Sequence, residues 1–129
     1  MSSDEPAPQI DILAGYLRAD QKDLKSFVEI LARKLTDAFP DRVKVQRKGL
    51  PGTSRPVVSI TMTFAESQFV LDNNKGQVST RRRKMVRGVA LNTDELRLDA
   101  WIDQLSAALV DEAALNERDR VALQQMLEA

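Results

Sequence analysis

The chain has 129 residues, 43% apolar and 29% charged, which suits one folded domain with its own hydrophobic core. It contains no cysteine and no histidine, so disulfides, thiolate metal sites and nucleophilic systems with a histidine base are excluded. Basic and acidic side chains number 19 each and give a net charge of zero.

That neutral total hides an uneven distribution. Residues 1–41 carry five basic and eight acidic side chains, a balance of −3. Residues 42–88 carry eleven basic and two acidic ones, or +9, and residues 89–129 carry three and nine, or −6. A central block at +9 predicts a surface for an anionic partner, whatever the fold.

The first nine residues, "MSSDEPAPQ", are polar and contain proline, which predicts a disordered tail at 1–9 before a single domain at 10–129. They lack the basic start and apolar run of a signal peptide. No apolar stretch reaches the roughly 18 residues that cross a membrane. We therefore expect a cytoplasmic protein without membrane insertion.

Apolar residues then recur at helical spacing between Asp11 and Phe39. The pattern predicts either one long helix or two helices, the second capped by Asp20, and Pro40 ends the helical region in both cases. The same residues follow a seven-residue rhythm, which is also typical of a helix that pairs with a second chain. A stripe lying on the protein's own sheet is the simpler interpretation, and a homodimer through this helix is the alternative. The stripe consists of Leu13, Leu17, Leu24, Val28, Leu31, Leu35 and Ala38.

The middle block alternates between apolar and polar residues, which is typical of strands. Strands are predicted in "RVKVQRK", "VVSITMTF" and "SQFVLD" and from about Gln77 to Val86, with a loop at "KGLPGTSRP" and a hairpin at "DNNKGQ". Together they form a four-stranded antiparallel meander. One face is apolar and covered, and the other is lined by Lys, Arg, Ser, Thr and Gln. The covered face includes Val58, Ile60, Met62 and Phe64.

The last block returns to helical spacing. Residues 92–95 are expected to form a turn, and Asp99 is expected to cap a helix whose buried side holds Leu98, Ile102, Leu105 and Leu109, with Trp101 beside them. Asn116 either caps a final helix or lies within one continuous helix. The fold class is therefore α+β, in the order α-β-β-β-β-α(-α), with the helices on the same sheet face.

The densest charge is the run from Arg81 to Arg87. If Asp72 pairs with Gln77, then Ser67 pairs with Arg82, and the run extends beyond the preceding strand. Alternation places Arg81, Arg83 and Arg87 on one face and Arg82 and Lys84 on the other. Because a central strand is not expected to bury charges, we predict an edge strand, on which Arg82 and Lys84 oppose aggregation.

These patterns predict a non-enzymatic interaction or adaptor module that presents a basic sheet face and edge strand to an acidic protein partner. A nucleic-acid-binding protein that places the same residues on phosphates is the alternative, and neutralisation by the chain's own acidic helices is a third interpretation. The sequence isoelectric point of about 6.3 favours the protein partner. The candidate binding residues are Lys44, Arg47, Lys48, Arg55, Arg81, Arg83 and Arg87.

The succession of long helix, meander and long helix resembles the layout of the small nucleoid-associated YbaB-type proteins, which would imply nucleic-acid binding. No nucleotide-binding glycine motif occurs, and we expect no catalytic residue, cofactor or metal. Four carboxylates could in principle hold Mg²⁺, but acids at a helix start more simply stabilise that helix. They are Asp94, Glu95, Asp99 and Asp103.

Overall fold

The structure is a computed structural model that describes residues 7–18, 23–49 and 56–128. It confirms the α+β class and the antiparallel meander, but within these ranges the sheet has five strands, in the order β1-β2-β3-β4-β5, and there are four helices. The elements are α1 (Ala7–Leu17), α2 (Leu24–Ala38), β1 (Val43–Arg47), β2 (Val57–Thr63), β3 (Ser67–Asn74), β4 (Gln77–Val86), β5 (Val89–Leu96), α3 (Leu98–Leu115) and α4 (Glu117–Glu128).

The N-terminal helical region is divided into two helices. α1 begins at Ala7, inside the range predicted for the tail. α2 begins after Asp23, whose carboxylate accepts hydrogen bonds from the backbone N–H groups of Lys25 and Ser26, whereas the predicted cap Asp20 lies outside the described residues. Most of the apolar stripe is buried in the chain's own core, since Leu13, Leu17, Val28, Leu31 and Leu35 are at most 1% exposed. Leu24, at the start of α2, is 39% exposed and Ala38 is half-buried, so the predicted stripe is wrong at Leu24.

Two hairpins set the register of the sheet. The turns Lys75–Gly76 and Arg87–Gly88 each have positive φ at both residues, which is the geometry of two-residue turns that match strand twist. With a turn this short, Gln77 pairs with Asn74 and Ser67 pairs with Lys84. The predicted pairs of Gln77 with Asp72 and Ser67 with Arg82 are therefore wrong by two residues, and β3 flanks nearly all of β4.

The fifth strand overturns two predictions. Residues 92–95 form no turn, because the chain has already reversed at Arg87–Gly88 and β5 pairs with β4 from Val86↔Val89 to Thr80↔Leu96. Asn and Asp are uncommon in strands, but pairing with β4 outweighs this low propensity. β4 is consequently an interior strand and β5 is the edge, so the prediction that β4 protects an edge is wrong.

The covered face agrees with the predicted alternation except at its start. Ile60, Met62 and Phe64 are buried in the core, but Val57 is fully buried where Val58 was predicted. The register of β1 and β2 shifts between Gln46 and Arg47, which is the mark of a bulge, and this irregularity turns Val57 inward.

Two helices cover one face of the sheet, α2 over β1 and β2 and α3 over β4 and β5, while α1 packs mainly on α3 and α4 on α3 and α2. Trp101 on α3 is fully buried, as predicted. The residue that precedes α3 is Arg97, which makes no capping hydrogen bond, and Asp99 lies in the first turn instead of at the cap. Asn116 separates α3 from α4 and accepts a hydrogen bond from the Asp119 backbone N–H at 3.2 Å. Of the two predicted alternatives, the capped final helix is therefore correct and the continuous helix is wrong.

Glu29 joins α2 to the first two strands. Its carboxylate accepts hydrogen bonds from the Val57 backbone N–H at 2.8 Å and from Arg47 Nη1 at 2.9 Å. Burial alone would raise the pKa of Glu29, but these two hydrogen bonds outweigh burial and hold that pKa below its ordinary value of 4.5.

The lowered pKa of Glu29 predicts an acid-dependent loss of stability. Below pH 4.5, Glu29 takes up a proton in the unfolded chain before it does so in the folded chain. The free energy of folding that Glu29 contributes is therefore fully present above pH 4.5 and is lost as the pH falls through the pKa of Glu29 in the folded state. We expect Glu29→Gln to cost about 0.5–1 kcal/mol at neutral pH and to flatten this acid limb. Urea unfolding between neutral pH and pH 3 measures both effects. An unchanged acid slope would contradict the prediction, and Glu117→Gln at an exposed acid is the control.

Candidate functional site

The predicted binding cations are dispersed over the molecule. Lys44 on β1 and Lys48 just beyond it are exposed, and neither forms an ion pair with a described residue. Arg47 is held on the helix side by Glu29. Arg55, together with the whole 50–55 segment of the predicted loop, lies outside the described residues.

Two predicted cations of β4 lie on the open face, the side of the sheet that carries no helix. Arg81 forms an ion pair with Asp72 on β3 and lies opposite Glu95 on β5. Arg83 donates from Nη1 to Gln68 Oε1 at 3.2 Å. The open face is therefore less basic than the sequence suggests, because two carboxylates lie beside its β4 cations. Three strand spacings, about 14 Å, separate Arg81 from Lys44 on β1.

Arg82 and Lys84 lie on the helix side, and Arg87 lies in the turn after β4, where it lines the same groove as they do. The prediction that Arg87 shares a face with Arg81 and Arg83 is therefore wrong, because the strand ends at Val86. Arg82 places its guanidinium carbon 5.9 Å from the centre of the Phe69 ring, and Lys84 is exposed. An interior strand is not expected to carry charged side chains on both of its faces. β4 carries such charges because its helix side, beyond Thr80, borders an open groove instead of the packed core.

This groove is the candidate binding site. It has a volume of about 660 Å³ and runs between the β2–β3 turn and the β4–β5 hairpin. Three cations line it, Arg82, Lys84 and Arg87, together with two acids, Glu66 and Asp94. No ion pair joins any of these five side chains to another described residue. We name it the basic groove.

A second groove of about 700 Å³ adjoins the first and shares Ala65, Glu66 and Arg82 with it. It follows the C-terminal half of α3, where Leu115 is 84% exposed. We name it the apolar groove. Its apolar lining comprises Phe64, Ala65, Phe69, Ala107, Ala108, Ala114 and Leu115, and Gln104, Asp111 and Glu112 lie along it as well.

The acidic group considered for Mg²⁺ is divided by the fold. Asp94 and Glu95 are successive residues of β5 and so point to opposite faces. Asp103 accepts a hydrogen bond from Arg18 Nη2 at 2.7 Å, and Arg18 also lies 3.8 Å from Asp99. Within 7–18, 23–49 and 56–128, no three carboxylates come together in a way that could hold a metal ion. Nor is any helix there both long and apolar enough to span a bilayer.

Sequence reasoning assigned Arg82 and Lys84 to edge protection and so missed their place in the groove. The sequence held only a partial signal for this hairpin: Gly88, between Val86 and Val89, suits a tight turn, but Arg87 is not a residue that favours the positive φ it adopts there. A fifth strand predicted after this turn makes β5 the edge strand instead of β4, and Arg82 and Lys84 then have no edge to protect.

Comparisons with protein-family models, with curated proteins and with solved structures returned no match. The functional assignment accordingly rests on the geometry and charges of the chain itself.

Proposed function

We propose that this chain is a non-enzymatic interaction module whose basic groove receives an acidic segment of a protein partner. One observation carries the proposal: Arg82, Lys84 and Arg87 line one open groove, and none forms an ion pair with a described residue. A partner carboxylate would gain charge-assisted hydrogen bonds there without breaking an existing ion pair. The adjoining apolar groove offers room for apolar side chains of the same segment.

The acids in the groove favour a peptide over a nucleic acid. Glu66 and Asp94 would repel an unbroken row of phosphates, whereas a peptide can place single acids among the cations and other residues beside the two carboxylates. Single-stranded nucleic acid also needs aromatic rings to stack on. The aromatic residues of this chain number six; five are buried, and Tyr16 lies on α1. The nucleic-acid alternative on the open face is further weakened by the pairing of Arg81 with Asp72.

Selection from a phage-displayed library of random peptides tests the proposal. We expect wild-type protein to enrich peptides that combine Asp or Glu with apolar residues. Arg82→Gln/Lys84→Gln should weaken binding of a selected peptide at least tenfold, about 1.4 kcal/mol, as measured by fluorescence anisotropy. Lys44→Gln/Lys48→Gln is the matched control, since it removes the same charge from exposed residues near the opposite edge of the sheet. Equal losses in both variants would show that the groove is not the site.

Labelled DNA and RNA oligonucleotides test the alternative. At physiological salt we expect dissociation constants no tighter than about 1 µM, the range of non-specific charge attraction. A nanomolar complex whose affinity falls linearly with salt on a log–log plot would instead make the protein a nucleic-acid binder. Circular dichroism of the variants confirms that each remains folded.

A further inference from the structure

Asp94 lines the basic groove together with three cations, but it forms an ion pair with none of them. Its Cα partner across β4 and β5 is Arg82, so the two side chains lie on the same face of the sheet. Opposite charges in directly paired positions of neighbouring strands ordinarily attract each other and stabilise the sheet. The exposed Asp94 carboxylate is therefore left for a ligand, and the groove holds unneutralised charges of both signs.

The position of the Arg82 guanidinium explains why this ion pair does not form. Arg82 is also the Cα partner of Phe69 on β3, and its guanidinium carbon lies 5.9 Å from the centre of the Phe69 ring. The attraction between a cation and the face of an aromatic ring holds the guanidinium toward β3, which is the side away from β5. The cation and the anion of the groove are thereby kept apart.

Phe69, Arg82 and Asp94 form a row across three neighbouring strands. Adjacent strands lie about 5 Å apart, so the row is about 10 Å long. It begins at Phe69 in the apolar groove, continues at Arg82, which lines both grooves, and ends at Asp94 in the basic groove. A segment bound along this row meets an apolar, a positive and a negative group in that order.

We propose that the partner segment presents an apolar, an acidic and a basic side chain in this order, and that Asp94 binds the basic one. The inference rests on the proposed function, because it concerns the segment that the basic groove receives. An acid of the segment placed on Arg82 lies about one strand spacing, or about 5 Å, from Asp94, and two carboxylates at that distance repel each other. A lysine or arginine beside Asp94 offsets this repulsion and adds an ion pair. Asp94 accordingly selects a segment of mixed charge over a purely acidic one.

Fluorescence anisotropy with a labelled peptide selected on the wild-type protein tests the proposal. Asp94→Asn makes the groove more positive, so a purely acidic peptide should bind this variant more tightly. We expect the opposite, a loss of about threefold to fivefold, because the basic residue of the peptide loses its partner. Glutamine in place of that peptide residue should cost as much, and both changes together should cost no more than either alone. Glu95→Gln, which removes the same charge from the open face of β5, is the matched control and should leave binding unchanged.

The outcomes separate this inference from the proposed function. If Arg82→Gln/Lys84→Gln and Lys44→Gln/Lys48→Gln weaken binding equally, the groove is not the site and both proposals are wrong. If only the groove variant loses affinity, and Asp94→Asn binds the peptide as tightly as wild type or more tightly, the inference about Asp94 alone is overturned. Enrichment of acidic peptides that lack lysine and arginine also overturns it. Circular dichroism verifies that Asp94→Asn remains folded, as expected for an exposed side chain.

Discussion

Trp101→Ala is expected to lower the free energy of unfolding by about 3–5 kcal/mol, the usual range for a large aromatic truncated inside a core. The side chain is fully buried between α3 and the sheet. Its indole N–H donates to the Arg81 carbonyl oxygen at 3.1 Å, and its ring lies edge-on to Phe69 at 6.2 Å. The substitution therefore leaves a cavity between α3 and the sheet, and the Arg81 carbonyl oxygen loses its indole donor.

Urea unfolding followed by circular dichroism measures this loss, which corresponds to roughly 10–20 °C in melting temperature for a domain of this size. Trp101→Phe keeps an aromatic ring and removes the indole N–H, so it should cost less, about 1–3 kcal/mol. Tryptophan emission of the native protein should be blue-shifted and poorly quenched, since the chain has a single tryptophan. A loss below about 1 kcal/mol in Trp101→Ala would contradict its place in the core.

Arg42→Ala is expected to lower the free energy of unfolding by about 2–4 kcal/mol, because it leaves two partly buried carboxylates without their cation. Arg42 Nη2 lies 2.9 Å from Glu112 Oε1 and 2.7 Å from Asp119 Oδ2, and the side chains are 24%, 23% and 11% exposed respectively. The hydrogen bond to Asp119 raises the pKa of Arg42 above its ordinary value, so the cation is always charged. This cluster joins the start of the sheet to the junction of α3 and α4.

Arg118→Ala is the matched control, because Arg118 and Asp41 form an ion pair that is 80% and 68% exposed. Its removal should cost less than about 0.5 kcal/mol. Arg42→Met combined with Glu112→Gln and Asp119→Asn should recover part of the stability lost in Arg42→Ala, since no carboxylate is then left without a partner. If Arg42→Ala and Arg118→Ala cost the same in urea unfolding, the three-residue cluster has no special role.

The sequence predictions were accurate for features set by residues close together in the chain and failed for features set by residues far apart in it. The buried stripe of α1 and α2, the alternation of Ile60, Met62 and Phe64, and the burial of Trp101 are local patterns of hydrophobicity, and the structure contains all of them apart from the exposed Leu24 of the stripe. The bulge between β1 and β2 that turns Val57 inward, the register of β3 with β4 and the existence of β5 depend on strand pairing, and all were missed. The polar run at 92–95 shows the difference, because its residues prefer turns in isolation and become a strand only beside β4.

The candidate site also has properties that the sequence alone determines and others that depend on the tertiary structure. Composition and charge order along the chain established a basic centre between acidic ends and the absence of histidine and cysteine chemistry, because these properties belong to the residues themselves. Tertiary structure decided which cations are bound by the chain's own groups, as Arg47 is by Glu29, Arg81 by Asp72 and Arg83 by Gln68. It also decided which cations line an open groove, as Arg82, Lys84 and Arg87 do. The physical reason is that an ion pair forms only when the two charged groups lie within a few ångströms of each other. The groups that pair with each cation are far from it in sequence, and sheet register and helix packing bring them close.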